Sequence, residues 1–196
     1  MATNVRSERI DSADVLAEVE RLKSLLLECR AVFPTLSADL VGQRVFQTAP
    51  YYRSRGYRAE IHLKQPISTD FIHRQRQLGR WINENAVIRL FGILNYHGFF
   101  KKLDPSLPGH REMDLLRRMR NAFTKTPLNY QPNDPKNRRL REALIEHFKL
   151  EGPDIQEEIP VPINKVLEPI FTACRDYVVA RGNAHNDRME PTGDGA

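Results

Sequence analysis

The chain reads as all-α, a helical bundle of about five helices with a small β-hairpin arm at 44–64. Three observations predict this. Five stretches place apolar residues at helical spacing, one stretch alternates with the period of a strand, and breaks bearing proline or glycine separate them. With 196 residues and a 40% hydrophobic share, the chain is long enough to bury one substantial core.

In residues 12–33, Val15, Val19, Leu22, Leu26, Cys29 and Phe33 step by four and three, a narrow helical seam ended by Pro34. The seam is shorter than a stable coiled coil needs, so it packs on the body of the protein or on a second copy. Further on, Tyr57, Ala59, Ile61 and Leu63 alternate with Arg58, Glu60, His62 and Lys64. That is a half-buried strand, and residues 44–48 are its partner across the turn 50–56; an irregular arm is the alternative. Ser68, Thr69 and Asp70 offer helix caps. The helix they open runs through Phe71, Leu78, Trp81 and Ile82, and its later part (Val87, Ile88, Leu90, Phe91, Ile93, Leu94) is expected to be the central, most buried segment.

Pro105, Pro108 and Gly109 break the chain before a helix with Met113, Leu116, Met119 and Phe123 as its buried stripe. Asp134-Pro135 starts the next helix, with a carboxylate at the cap and proline in the first turn, burying Leu140, Ala143, Leu144 and Phe148. Pro162 and Asn164 introduce the last, which buries Val166, Leu167, Ile170, Phe171, Cys174 and Tyr177. Residues 181–196, rich in Gly, Asn and Asp, are expected to be disordered. The resulting division is an amphipathic helix over 1–40, a basic arm or hairpin over 41–67, a helical bundle over 68–180 and a tail over 181–196.

The net charge of +5 is unevenly spread. Residues 1–40 carry net −2, residues 41–125 net +10 and residues 126–196 net −3. A basic middle between mildly acidic ends suits a phosphate-rich partner, although it also describes a solvated cationic face. No run approaches the roughly 18 apolar residues of a membrane span, and the first residues are no secretory signal. Cys29 and Cys174, far apart on apolar stripes, read as reduced core thiols. These points lead to the expectation of a cytoplasmic protein with no membrane partner. The six histidines and two cysteines show no metal-ligand spacing, and no glycine loop suits a phosphate, so no metal and no cofactor is expected.

The candidate site lies in the segment Leu115-Leu116-Arg117-Arg118-Met119-Arg120-Asn121-Ala122-Phe123-Thr124-Lys125. Arg117 and Arg120 share a helix face, and Arg120 stands four after Leu116, at the border of the buried stripe. A planar guanidinium held in one direction suits a phosphodiester; pairing with Glu112, Asp114 or an acid on another helix is the alternative. Tyr130, beyond the helix, and Tyr51, Tyr52 and Tyr57 in the arm are candidates to stack bases among cations, or packing residues.

Residues 71–180 resemble the HEPN superfamily of helical-bundle domains. The resemblance rests on Trp81-Ile82-Asn83-Glu84-Asn85-Ala86, the helix ending in Arg120-Asn121, the loop 130–134 and the helix from Val166. It implies a metal-independent site at a homodimer interface, in which the ribose 2′-hydroxyl attacks the adjacent phosphate. A histidine would move protons there while an arginine stabilises the developing charge. Arg120 and Asn121 match the arginine and the polar residue after it. Where the family places its histidine, four to six positions on, this chain has Thr124, Lys125 and Thr126. Lysine is ordinarily protonated at pH 7 and is no general base; losing that base costs roughly 10²- to 10⁴-fold.

By resemblance, then, the catalytic positions are Arg120, Asn121 and Lys125, and the nucleic-acid-binding set is Arg117, Arg118, Arg120, Lys125 and Tyr130. The implied function is a homodimeric protein that binds RNA or a nucleotide-bearing partner and is catalytically impaired. The alternatives are a metal-independent endoribonuclease of a toxin–antitoxin or defence system, and a structural interaction protein that uses the N-terminal helix.

Overall fold

The computed structural model describes residues 12–47, 60–125, 134–152 and 159–186. Its elements are α1 (Ser12–Val32), a 3₁₀ turn (Ala38–Leu40), β1 (Val45–Gln47), β2 (Glu60–His62), α2 (Thr69–Tyr96), α3 (His110–Lys125), α4 (Pro135–Phe148), and a π-helical turn (Ile163–Leu167) that runs into α5 (Glu168–Asn186). Among the described residues, the protein is an all-α bundle with one two-stranded antiparallel sheet.

α3 and α5 carry many of the most deeply buried residues. Met113, Leu116 and Met119 on α3 and Ile170, Cys174, Tyr177 and Val178 on α5 are fully excluded from solvent. Val15, Val19 and Leu26 of α1 join the same cluster, so the N-terminal helix packs on the body, along α2 and α5. Glu18 approaches His97 at one end of the α1–α2 pair and Arg30 lies against Gly79 at the other, so these helices run antiparallel. The Asp104 amide donates to the Tyr177 hydroxyl at 2.8 Å, which satisfies the phenol at the centre of the bundle.

The hairpin forms with Val45 opposite His62, Phe46 opposite Ile61 and Gln47 opposite Glu60. Among the described residues of the arm, Ile61 and Leu63 are partly buried while Glu60, His62 and Lys64 are exposed, which is the predicted alternation. Phe46 and Ile61, with Leu36, Ile67 and Ile72, make a small second core over the start of α2. Ser68 caps α2, its hydroxyl accepting from the Phe71 amide at 3.1 Å. Asp134 caps α4 by accepting from the Lys136 amide at 2.8 Å, with Pro135 in the first turn.

Gly109, at φ 78°, places the start of α3 against the backbone of α5; a Cβ there would lie 2.3 Å from the Ala173 carbonyl oxygen. Only glycine permits this approach, and it sets the position of the helix that carries the candidate site.

Three expectations are corrected. Cys29 is exposed rather than in the core, while Cys174 is buried as expected; both are free thiols. At the Cys29 turn the buried position passes to Arg30, 5% exposed, whose guanidinium fills the space left by Gly79 and donates to the Phe33 carbonyl and the Thr35 hydroxyl. The turn of α2 that carries Trp81 buries Gly79 and Asn83, which leaves Trp81 60% exposed. The apolar stretch of α2 is only half sunk: Val87, Leu90 and Leu94 are buried, whereas Ile88, Phe91 and Ile93 are partly buried. Finally, α5 continues to Asn186, into the expected tail. Arg181 anchors this extension, donating to the Phe99 carbonyl at 2.8 Å with its guanidinium over the Phe99 ring.

Candidate functional site

α3 places its predicted cations on different flanks. Its buried stripe, Met113, Leu116, Met119 and Phe123, faces the core, so Arg120 emerges on the side toward α2 and Arg118 on the side toward α4.

The Arg120 guanidinium carbon lies 5.1 Å from the centre of the Phe91 ring on α2. Phe91 is itself stacked with Phe100, ring centres 4.4 Å apart. Arg120 Nη1 donates to Asn121 Oδ1 at 3.0 Å, and the Thr124 hydroxyl donates to the Arg120 carbonyl. Among the described residues, no carboxylate pairs with Arg120. The two nearest acids on its helix are engaged elsewhere: Asp114 with Arg117 at 2.5 Å, and Glu112 with His147 at 2.7 Å. A cation over an aromatic face keeps its in-plane N–H groups free for an acceptor, and the stack fixes the plane in which they point.

A guanidinium only donates, so the atom of Asn121 that faces it is the oxygen. The Asn121 amide nitrogen is therefore the end left to serve the other side. That side is a cleft of about 360 Å³ between α3 and α4. Arg118, Asn121 and Ala122 line it from α3, at i, i+3 and i+4; Lys136, Arg139 and Leu140 line it from α4 with the same spacing. Asn137 and Asp134 complete the lining. An opposite-natured cleft of about 550 Å³ lies at the other end of α3, where Glu112, Glu168 and Asp176 give it acidic character. The bundle is thus polarised along α3.

Of the predicted site residues, Arg120 and Asn121 are brought into contact, and Asn121 also lines the cleft with Arg118, on the flank of α3 opposite Arg120. Arg117 is held in its exposed ion pair with Asp114. The Lys125 side chain, Tyr130 and the arm tyrosines Tyr51, Tyr52 and Tyr57 lie outside the described residues. The structure adds Phe91, Lys136, Asn137 and Arg139. Asn137 left a trace in the sequence: it begins the stripe Asn137, Leu140, Leu144 as a polar residue in an apolar position, and it is 8% exposed.

Burial pushes the Cys174 thiol far above its ordinary value, and the Glu112 charge pushes the same way, so this cysteine is no nucleophile. Among the described residues no group of three or more His, Cys, Asp or Glu could hold a metal ion, and no helix is long and apolar enough to cross a membrane.

No family model, curated protein or solved structure matches this chain.

Proposed function

We propose that the protein is a HEPN-like, RNA-associated binding protein that acts as a homodimer and has little or no ribonuclease activity of its own. Phosphodiesters of single-stranded RNA, or of a nucleotide-bearing partner, are the ligands this reading assigns to Arg120 and Asn121. The observation that carries it is the state of Arg120: stacked on Phe91, oriented by Asn121, and paired with no carboxylate among the described residues. A guanidinium in that state retains donors for a phosphate and needs little reorganisation to use them.

The placement of His110 and His147 supports impaired catalysis. His110 begins α3, ten residues before Arg120, which at 1.5 Å per residue is about 15 Å along the axis. His147 is held by Glu112, eight residues before Arg120 and so about 12 Å along the same helix. Neither can share a phosphate with Arg120 within one chain. A polar contact without a proton carrier binds RNA and leaves it intact.

Two measurements test this. A fluorescent single-stranded oligoribonucleotide should bind wild-type protein, and Arg120→Gln should weaken binding roughly tenfold or more, the scale of a lost hydrogen bond to a charged group. The same RNA, incubated with concentrated protein and a chelator, should stay intact. Products ending in 2′,3′-cyclic phosphate would instead identify a metal-independent endoribonuclease, and unaltered binding by Arg120→Gln would remove Arg120 from the site.

A further inference from the structure

The cleft between α3 and α4 lies on the flank of α3 opposite Arg120 and shares only Asn121 with the Arg120 reading. We infer that it is a separate phosphate-binding site, formed by Arg118, Lys136 and Arg139 as cations and by Asn121 and Asn137 as directional donors.

Charge is the first argument. Three cations line a space of about 360 Å³ together with a single carboxylate, Asp134, which already accepts from the Lys136 amide as the cap of α4. Among the described residues, Arg118 and Arg139 have no ion-pair or hydrogen-bond partner of their own. Cations gathered on facing helices repel one another unless an anion lies between them. Phosphate has enough acceptor oxygens to serve groups arriving from both helices, whereas one carboxylate is satisfied by one arginine.

Asn137 is the second and independent argument. It is 92% buried, given its 8% exposure, it lines the cleft, and among the described residues its side chain has no hydrogen-bond partner. Its polar atoms keep contact with the cleft rather than being sealed from solvent, so a carboxamide whose residue is otherwise in the wall is available to an acceptor there. Its position in the first turn of α4 aims it where the helix end adds its own partial positive charge. On the facing helix, the Asn121 oxygen is engaged by Arg120, so what Asn121 can offer the cleft is a donor. Two amide donors and three cations converge on one space. The size matches a phosphate with part of the group that carries it, rather than an extended groove.

The phosphate could belong to a free nucleotide or to an RNA strand, and the experiment separates these. The full-length chain, isotopically labelled, is titrated with inorganic phosphate at constant ionic strength and followed by amide chemical shifts. Saturable shifts centred on residues 118–122 and 136–140 are expected. Arg139→Gln and Lys136→Gln, at exposed positions where folding is not at risk, should each raise the dissociation constant roughly ten- to hundredfold. Asn137→Ala should raise it too, and Arg120→Gln, which acts on the cleft only through Asn121, should raise it less than Arg139→Gln does. Adenosine monophosphate and a single-stranded RNA without terminal phosphates are then added as competitors. Displacement by the first identifies a terminal phosphate as the natural ligand, and displacement by the second a phosphodiester. An absence of saturable shifts, or equal weakening by Arg120→Gln and Arg139→Gln, overturns the inference. Phosphate binding that survives while RNA binding is absent would retire the Arg120 proposal and leave this one standing.

Discussion

Replacing Gly79 with alanine should destabilise the protein although alanine is the better helix former. The added Cβ would lie 1.9 Å from Arg30 Nη1 and 2.7 Å from its Cζ, so the guanidinium must leave its place. The steric displacement is cheap, because the tip of a long side chain can swing. The cost lies in what the tip holds: Phe33 O at 2.7 Å and Thr35 Oγ1 at 2.8 Å, both from a residue only 5% exposed. Each bond from a charged donor contributes roughly 1.5–3 kcal/mol, and the Gly-to-Ala gain in a helix interior is about 1 kcal/mol. The net loss is then about 2–5 kcal/mol, a large part of the 5–15 kcal/mol typical of a domain. Urea denaturation followed by circular dichroism measures it. The same substitution in an Arg30→Ala background should be neutral or stabilising, because the clash and the bonds are gone. Additive effects in that double-mutant cycle, or a stabilised single variant, would refute the reasoning.

Thiol chemistry gives a second prediction: in native protein a maleimide should label Cys29, which is exposed, and spare Cys174 until the chain unfolds. Above the ordinary thiol value of 9.0 the unfolded chain releases the Cys174 proton while the folded chain keeps it. Stability from this residue is therefore complete below that pH and declines above it, by up to about 1.4 kcal/mol per pH unit; Cys174→Ala should flatten the alkaline limb of a pH–stability profile. Asp134→Ala removes the cap of α4 and should cost about 1 kcal/mol in a thermal melt, while Asp134→Ser should recover most of it.

The legible parts of this fold were those decided locally. Asp134-Pro135 is a helix start whatever surrounds it, and the stripe from Val166 to Tyr177 has only one face to bury. The alternation around Ile61 fixes which side of the hairpin meets Phe46. Decisions taken between elements were not legible. Cys29 and Arg30 both lie near the seam of α1, and only the slot at Gly79, far along the chain, assigns the buried place to arginine. Which turn of α2 faces solvent could not be read from that helix alone: Trp81 is exposed while Gly79 and Asn83 are buried. The Arg-Asn pair was visible, but neither the Phe91 ring beneath Arg120 nor the facing row on α4 could be read from α3 alone. Asn137 is the exception: a polar residue interrupting an apolar stripe was a signal available in the sequence.

The central claim, that Arg120 contacts an RNA phosphate, is most directly tested by the salt dependence of RNA affinity in wild type and Arg120→Gln. For single strands the logarithm of affinity falls with the logarithm of salt at a slope of about 0.7 per phosphate neutralised. The account predicts a slope shallower by about that amount in the variant, with a loss of stability no larger than that of one exposed cation–π contact, about 0.5–1 kcal/mol. Parallel slopes with equal affinities, from a variant that folds normally, would contradict it.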